Sequence, residues 1–313
     1  MKGKTDMSIP VGIDVSKNKL DIYFNDTYFI VNNIIADIKK GSSKLPSGSH
    51  IVMEATGKYH RLAHETLSNM GHKVMLINPY RSRHFANAQN IFCKTDKVDA
   101  KVLCQYAKTM EFKESTPPSK EELLLQDLSK HLEDLKQIKI DIEARIREAS
   151  GFIAKSLKNT RKTVVKEIES TEKAIKDAVD SNLEMKKKAE LLTSIPGIGE
   201  TTAFTLLCCL RELGKLNKNE IAALAGLAPM NHDSGTMQGR RRIRGGRHDV
   251  RSKLYMPIIG AATQHNSRLK AIYTRLCGIG KSPKVALTAC MRKLIVWANA
   301  ILATGQPWCE NYI

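Results

Sequence analysis

The sequence has few aromatic side chains and lacks the closely spaced cysteine pairs of metal or redox motifs. Phe, Trp and Tyr make up 5% of 313 residues, so the cores must be mainly aliphatic. The seven cysteines include no C-x-x-C pair, and Cys208 and Cys209 are adjacent in an apolar stretch. This usage argues against a disulfide framework and indicates thiols in a reducing cytoplasm. Ligand spacing for zinc is also missing among the cysteines and the nine histidines.

Long apolar runs and acidic residues are also scarce. We expect no run of the roughly 18 apolar residues needed to span a bilayer, and the first ten residues are too polar for a secretory signal. Against 32 Asp and Glu there are 50 Lys and Arg, which gives a net charge of +18. Phosphate contacts release counterions and add affinity, so this excess favours a polyanionic partner over a membrane.

The first part of the chain, residues 7–115, alternates strand-like and helix-like stretches. Strands are predicted at Val11–Val15, Leu20–Phe24, Tyr28–Val31, His50–Met53 and Val74–Ile77, and helices at Tyr59–Met70 and Val98–Met110. A hairpin of strands followed by alternating helices and strands predicts an α/β layer with a mixed sheet.

A boundary follows at Thr116-Pro117-Pro118-Ser119. In residues 119–190, apolar residues recur at spacings of three and four, which predicts two long amphipathic helices in an antiparallel hairpin. These helices could simply cover each other, or they could form a dimerisation arm, and the sequence favours neither. Residues 191–313 are predicted to be mainly helical, interrupted by a glycine- and arginine-rich loop between Pro229 and Gly246.

Four acidic residues form a candidate metal site. Asp14 lies within an apolar strand, where a carboxylate is costly unless it is paired, for example with a divalent cation. Glu54 ends another strand, while Asp96 and Asp99 open a helix three residues apart and therefore share a face. Four hard oxygen donors suit a pair of Mg²⁺ ions, which can activate a hydroxyl and stabilise the leaving oxygen of a phosphodiester.

Each acid also has a plainer explanation. Asp14 could begin an Asx turn, Asp96 could cap its helix, and Asp99 could balance the helix dipole. Glu54 could pair with a lysine. Each explanation is the more common one for a single residue, but the combination is the ribonuclease-H-like arrangement and favours a metal site.

Motifs in both halves of the chain occur in a recognisable order. The first three motifs are Gly12–Lys17, Glu54–Tyr59 and Lys94–Lys101. A Pro-Gly-Ile-Gly turn, a Ser-Gly loop and a basic segment follow them in that order. This series resembles the DEDD transposases of bacterial insertion sequences, the IS110 family, over nearly the whole chain.

The resemblance implies three domains. They are a ribonuclease-H-like (RuvC-like) domain at 7–115, a helical coiled-coil linker at 119–190, and a mainly α C-terminal transposase domain with a helix-hairpin-helix at 191–313. It also implies that Mg²⁺, for which Mn²⁺ is expected to substitute, binds Asp14, Glu54, Asp96 and Asp99. The family's serine nucleophile maps to Ser234.

The resemblance also implies partners. They are DNA, as element ends and as target, a non-coding guide RNA, and further copies of the chain, as a homodimer that assembles into a tetramer. A cytoplasmic, nucleoid-associated location follows, with no membrane.

The C-terminal motifs have physical interpretations of their own. Pro196, Gly197 and Gly199 give the form of a helix-hairpin-helix, in which helix-opening amides can hold a phosphate; the alternative is a tight turn without a ligand.

Ser234 would attack phosphorus only after losing its proton, giving a phosphoserine link that conserves the bond energy. Guanidinium groups suit phosphate, although the cluster could be only a solvated basic face. The cluster comprises Arg240, Arg241, Arg242, Arg244, Arg247 and Arg251.

Three functional hypotheses remain. The first is a Mg²⁺-dependent, RNA-guided serine recombinase that cuts and rejoins DNA strands. The second is a RuvC-like endonuclease in which the acids act by hydrolysis and Ser234 is structural. The third is a non-catalytic nucleic-acid-binding protein whose acids cap helices and turns.

Overall fold

The protein consists of two compact units, Met1–Pro118 and Ser119–Ile313. Both are seen in a computed structural model, which describes residues 9–231, 234, 239 and 241–310. The first unit is a sheet with helices, and the second is almost wholly helical. The helical hairpin and the C-terminal helices, which the sequence divides into two domains, lie together in the second unit.

The first unit contains a five-stranded mixed sheet. Its elements are β1 (Pro10–Val15), β2 (Lys19–Phe24), β3 (Thr27–Asn32), α1 (Ile35–Ser42), β4 (His50–Glu54), α2 (His60–Asn69), β5 (Lys73–Ile77), α3 (Pro79–Ala88) and α4 (Asp96–Thr109). The strand order is β3-β2-β1-β4-β5. The first three strands pair antiparallel, whereas β4 is parallel to both β1 and β5. The predicted mixed sheet with helices is therefore confirmed.

The central strand β1 presents different residues to its two faces. Val11, Ile13 and Val15 pack into the core that includes residues of α1 and α2. Gly12 faces α4, and a Cβ atom there would lie 2.0 Å from the carbonyl oxygen of Ala100. The missing side chain at Gly12 therefore lets α4 lie directly on the strand.

Two helices of this unit, α1 and α3, were not predicted. The Asn78-Pro79 pair was interpreted only as the end of β5, but it also begins α3. The Asn78 side chain accepts a hydrogen bond from the Tyr80 amide at 2.8 Å. Pro79 occupies the first helical position, where its missing N–H costs nothing.

The second unit begins with two long helices. Its elements are α5 (Lys120–Glu148), α6 (Gly151–Asp180), α7 (Leu183–Thr193), α8 (Glu200–Cys209), α9 (Lys218–Leu224), β6 (Pro229–Met230), β7 (Arg242–Ile243), α10 (His248–Gly260), a π-helical turn (Ala261–His265), α11 (Ser267–Gly278) and α12 (Pro283–Thr304). Ion pairs from Lys136 to Glu172 and from Arg161 to Glu143 join α5 to α6 in antiparallel order. The spacing thus predicted two long helices correctly, and their role as a coiled coil stays a prediction.

Helix α12 corrects the expectation that the chain lacks a long apolar run. Pro283–Thr304 is long and apolar enough to cross a membrane by length and composition, with a mean hydropathy of 1.5 over its most apolar window. However, 56% of that window is buried in the protein. Leu294, Trp297 and Ala298 belong to the largest apolar core of the unit. Packing in this core accounts for the apolar character of the helix.

Candidate carboxylate site and serine loop

All four predicted acids line one cavity of the first unit. The cavity has a volume of about 470 Å³, and its lining includes Asp14, Glu54, Asp96, Asp99, Arg83 and Lys94. Strands β1 and β4 run parallel with Ile13 opposite Met53, so the next positions, Asp14 and Glu54, lie side by side where the strands end. Sheet pairing therefore places one carboxylate from each strand at the same edge.

The first turn of α4 supplies the other two carboxylates. Thr95, rather than Asp96, caps this helix, because its hydroxyl accepts a hydrogen bond from the Val98 amide at 3.3 Å. Asp96 and Asp99 are thus free of a capping role, and both lie near the positive end of the helix dipole. The close approach of α4 to Gly12 brings this turn towards Asp14.

Burial and mutual repulsion make the cavity unfavourable for negative charge. Burial, and to a smaller extent the negative charges of Asp99, Glu54 and Asp96, raise the pKa of Asp14 to about 6. Burial also raises the pKa of Asp99, an effect that Lys94 and Arg83 oppose. An added cation would relieve this repulsion, because an opposite charge favours the ionised form of a carboxyl group.

Two of the acids have protein partners in this arrangement. The Lys19 ammonium lies 2.6 Å from Asp96 Oδ2, and the Ser82 hydroxyl donates a hydrogen bond to Glu54. In the part of the chain that the structure describes, no three Asp, Glu, His or Cys side chains are placed to hold one metal ion as they stand. The donor chemistry fits a divalent cation, and Asp96 and Glu54 each share one oxygen with these partners.

A second charged group beside the cavity was missed in the sequence. Asp21 on β2 pairs with Asp14 across the β1–β2 ladder and is only 1% exposed. It accepts a hydrogen bond from the Tyr28 hydroxyl at 2.5 Å, and Lys19 Nζ lies 3.2 Å from it. The sequence did contain a signal for Asp21. A hairpin that turns across residues 16–19 pairs position 15 with position 20, and therefore places Asp21 opposite Asp14.

The predicted serine loop lies in the second unit. Pro229 and Met230 of β6 pair with Ile243 and Arg242 of β7, and Ser234 is exposed between these strands. Arg240 lies outside the described residues. Arg241, Arg242 and Arg244 are exposed.

Arg247 and Arg251 of the predicted cluster contact protein atoms near the end of the loop. The Arg247 guanidinium makes two contacts with the Glu212 carboxylate, at 2.7 and 2.6 Å, and donates to the Cys209 carbonyl. Arg251 donates to the carbonyl oxygens of Gly226 and Gly245, at 2.8 and 2.9 Å. Both side chains hold the end of the loop in place.

The Pro-Gly-Ile-Gly turn connects α7 to α8. Gly197 has a φ of +93°, and a Cβ there would lie 2.5 Å from the Ala261 Cβ, so this glycine packs against the π-helical turn. The Pro196 carbonyl accepts a hydrogen bond from the Asn266 side chain at 2.9 Å. Gly199, at the start of α8, has open space where a side chain would be. Of the two glycines predicted to contact phosphate, Gly199 therefore has clear space beside its Cα, whereas Gly197 is packed against the protein.

The mixed sheet, with carboxylates at the adjoining ends of two parallel strands and on a crossing helix, is the arrangement of the ribonuclease-H-like nucleic-acid enzymes of the DEDD type. Comparison with family models agrees. A DEDD model of IS110 elements, described as "Transposase", matches residues 11–149. A second, "Transposase IS116/IS110/IS902 family", matches residues 189–274. The chain belongs to the IS110 family of transposases.

Curated relatives point the same way. A "Pilin gene-inverting protein" of Moraxella bovis is 28% identical over 312 residues, covering 95% of this chain and 97% of the relative. The protein of the same name from Moraxella lacunata aligns to the same extent. An "Insertion element IS110 uncharacterized 43.6 kDa protein" of Streptomyces coelicolor is 28% identical over 135 residues, which span 42% of this chain and 33% of the relative.

Family membership defines the function at a coarse level. The chain is a transposase or recombinase, an enzyme that modifies DNA. DEDD transposase domains generally depend on divalent metal ions.

Proposed function

We propose that this protein is a Mg²⁺-dependent transposase that cuts and rejoins DNA through Ser234, guided by an RNA from its own element. The observation that carries the metal-dependent part is the convergence of Asp14, Glu54, Asp96 and Asp99 on one cavity. Such carboxylates would hold Mg²⁺ or Mn²⁺. The bound metal would neutralise charge on the reacting phosphate and lower the pKa of an oxygen nucleophile.

The residues of the chain have separate tasks in this proposal. The four acids provide the negative cavity that recruits the cation, and Arg83 and Lys94 at its wall attract the phosphate backbone. The Ser234 hydroxyl forms a bond to phosphorus as the scissile P–O bond breaks. Its proton is lost, and the leaving oxygen gains one. Rejoining reverses these changes and regenerates the hydroxyl.

The serine loop suits this task through its surroundings. Ser234 is exposed, and its loop is held by the β6–β7 ladder. We assign the exposed Arg241, Arg242 and Arg244 to phosphate binding. Arg247 and Arg251 would fix the loop, since their guanidinium groups bind protein oxygens. The guide RNA and the assembly of dimers into a tetramer remain part of the proposal, on the strength of the family resemblance.

A second candidate is a hydrolytic, RuvC-like endonuclease. The observation that favours it is that the described lining of the acidic cavity belongs wholly to the first unit. A carboxylate pocket of this kind has the ligands for metal-assisted attack by water. Ser234 would then be structural.

The product of cleavage distinguishes the candidates. The protein would be incubated with Mg²⁺, supercoiled DNA carrying the element's ends and RNA transcribed from its flank, and then analysed on a denaturing gel. We expect a covalent protein–DNA adduct that disappears in Ser234→Ala. It should persist in Ser252→Ala, which removes an exposed serine from α10. Mass spectrometry of the digested adduct should place the phosphate on Ser234.

Other outcomes would overturn the serine proposal. Adducts that survive Ser234→Ala would assign the nucleophile elsewhere. Free 5′-phosphate ends without attached protein would establish the hydrolytic endonuclease. Metal-independent DNA binding without cleavage, unchanged in an Asp14→Asn, Glu54→Gln double variant, would support the non-catalytic binding protein.

A further inference from the structure

Lys19 holds an unusual position beside the acidic cavity. Its ammonium group lies 2.6 Å from Asp96 Oδ2 and 3.2 Å from Asp21 Oδ2, so it bridges two carboxylates. Asp21 lies two residues further along the same strand, β2, and Asp96 lies in the first turn of α4. The lysine therefore joins a metal-ligand candidate to a residue outside the cavity.

Asp21 is suited to hold this ammonium in place. It is 1% exposed, and the Tyr28 hydroxyl donates to its Oδ1 at 2.5 Å. Burial of an unpaired carboxylate is costly, so Asp21 needs Lys19 as a counter-ion. Asp96 differs, because its side chain is 55% exposed and can turn away at little cost.

We propose that Lys19 is a tethered cation that occupies Asp96 in the metal-free protein and is transferred to a DNA phosphate when the metal takes Asp96. The inference rests on the proposed metal site of the first unit. Lys19 is a positioning residue here. Before the metal binds, the Lys19 ammonium neutralises the Asp96 carboxylate. After the metal binds, Lys19 stays paired with Asp21, and its positive charge can contact the phosphate backbone of the DNA.

The chemistry of the contact supports this exchange. An oxygen of Asp96 that accepts a 2.6 Å contact from an ammonium has less electron density for a metal ion, and two cations at one carboxylate repel each other. The nearest alternative anion that the reaction brings is the phosphate backbone. The transfer of Lys19 from Asp96 to a phosphate would couple metal binding to DNA binding.

The first test measures metal binding without nucleic acid. The intact protein would be titrated with Mn²⁺ and free Mn²⁺ followed by electron paramagnetic resonance. We expect Lys19→Met to bind Mn²⁺ roughly two- to fivefold more tightly, the range for loss of a partly exposed ion pair. Lys19→Arg keeps the charge and should stay close to the parent. Lys17→Met removes the same charge from an exposed position on the same turn and should also leave affinity unchanged.

The second test measures the contact with DNA. Binding to a duplex would be followed as a function of salt, in Ca²⁺ and in EDTA. Each lost phosphate contact lowers the slope of log K against log salt by about 0.9. Lys19→Met should lose one contact in Ca²⁺ and none in EDTA, whereas Lys17→Met should show no such dependence on metal.

The outcomes separate the inference from the proposed function. If Lys19→Met binds Mn²⁺ no more tightly than the parent, while Asp14→Asn loses binding, Lys19 is not a competitor and the metal site stands. If the parent binds no Mn²⁺, both fail. Lys19→Gln provides a second uncharged variant that keeps a donor for Asp21, and it should repeat the result of Lys19→Met if that result reflects charge rather than misfolding.

Discussion

At the scale of single residues, Asp14 carries the clearest conflict between stability and function. Its pKa is raised from 3.8 to about 6, by burial first and then by the neighbouring acids. A raised pKa in the folded state means that ionised Asp14 disfavours folding. In the metal-free protein, this penalty is absent below about pH 4, grows as the pH rises between about 4 and 6, and is complete above that range.

Asp14→Asn should therefore stabilise the first unit while abolishing activity. In EDTA at pH 7 we expect a gain on the order of 1 kcal/mol, after allowing for screening of a partly exposed carboxyl. That gain corresponds to a rise in melting temperature of roughly 4 °C for the first unit. Thermal melts of both proteins at pH 4 and pH 7 would test it, with Glu65→Gln, an exposed acid on α2, as the control. A parent that melts as high as the variant at pH 7 would contradict the explanation.

The acids were predictable from sequence, whereas their partners were not. Asp14 and Glu54 stand out because each interrupts or ends an apolar strand. Lys19 is one of 50 Lys and Arg residues, and its contact with Asp96 joins positions 77 residues apart. No local pattern reports such a pairing, since it depends on how α4 crosses the sheet.

At the scale of elements, Gly12 sets the position of α4. A Cβ atom at this position would lie 2.0 Å from the Ala100 oxygen and 2.3 Å from the Cys104 nitrogen, and both are backbone atoms that cannot rotate away. Gly12→Ala should push the helix off β1 at a cost of at least the ~1–3 kcal/mol typical of overpacked cores. It should also displace Asp96 and Asp99 from Asp14.

Mn²⁺ titration and thermal melting would measure both effects of Gly12→Ala. Gly278→Ala is the matched control, because a Cβ there meets nothing within 4 Å. We expect weaker Mn²⁺ binding and a lower melting temperature in the first variant alone. Normal metal affinity in Gly12→Ala would mean that the close approach of α4 does not position its carboxylates.

Hydrophobic spacing predicted the existence of elements better than their orientation. The spacing of three and four places Leu124 and Ile138 on the apolar stripe of α5, but these side chains are 52% and 45% exposed. Leu125 is buried instead, in a cluster that contains Ile175 of α6 and Cys208 of α8. The helix packs against two neighbours, so its buried face is set by tertiary contacts that a single helical period does not encode. The short β6–β7 ladder was missed because two-residue strands leave no periodic signal.

At the scale of the whole molecule, the proposed metal-binding residues are confined to one of the two units. Asp14, Glu54, Asp96 and Asp99 all belong to Met1–Pro118. Binding of Mn²⁺ to the intact chain should therefore slow hydrogen exchange in β1, β4 and the first turn of α4, because a ligand stabilises the state that it binds.

Exchange followed by mass spectrometry would locate this protection. The amides of α7 to α12 should exchange at the same rate with and without metal. Asp14→Asn provides the control and should show no change in either unit. Protection that covers the helices of the second unit would place metal ligands there and contradict the assignment.

The ladder that closes the serine loop has a consequence for competition with water. Ser234 follows Met230, which lies in the ladder, by four residues, so chain length keeps its Cα within roughly 14 Å of that anchor. One hydroxyl within such a sphere has a local concentration on the order of 0.1 M. Water is present at about 55 M, so its concentration exceeds the local concentration of the serine hydroxyl by roughly several hundredfold. Transfer in preference to hydrolysis therefore requires that the assembled complex exclude water or activate the serine by at least that factor.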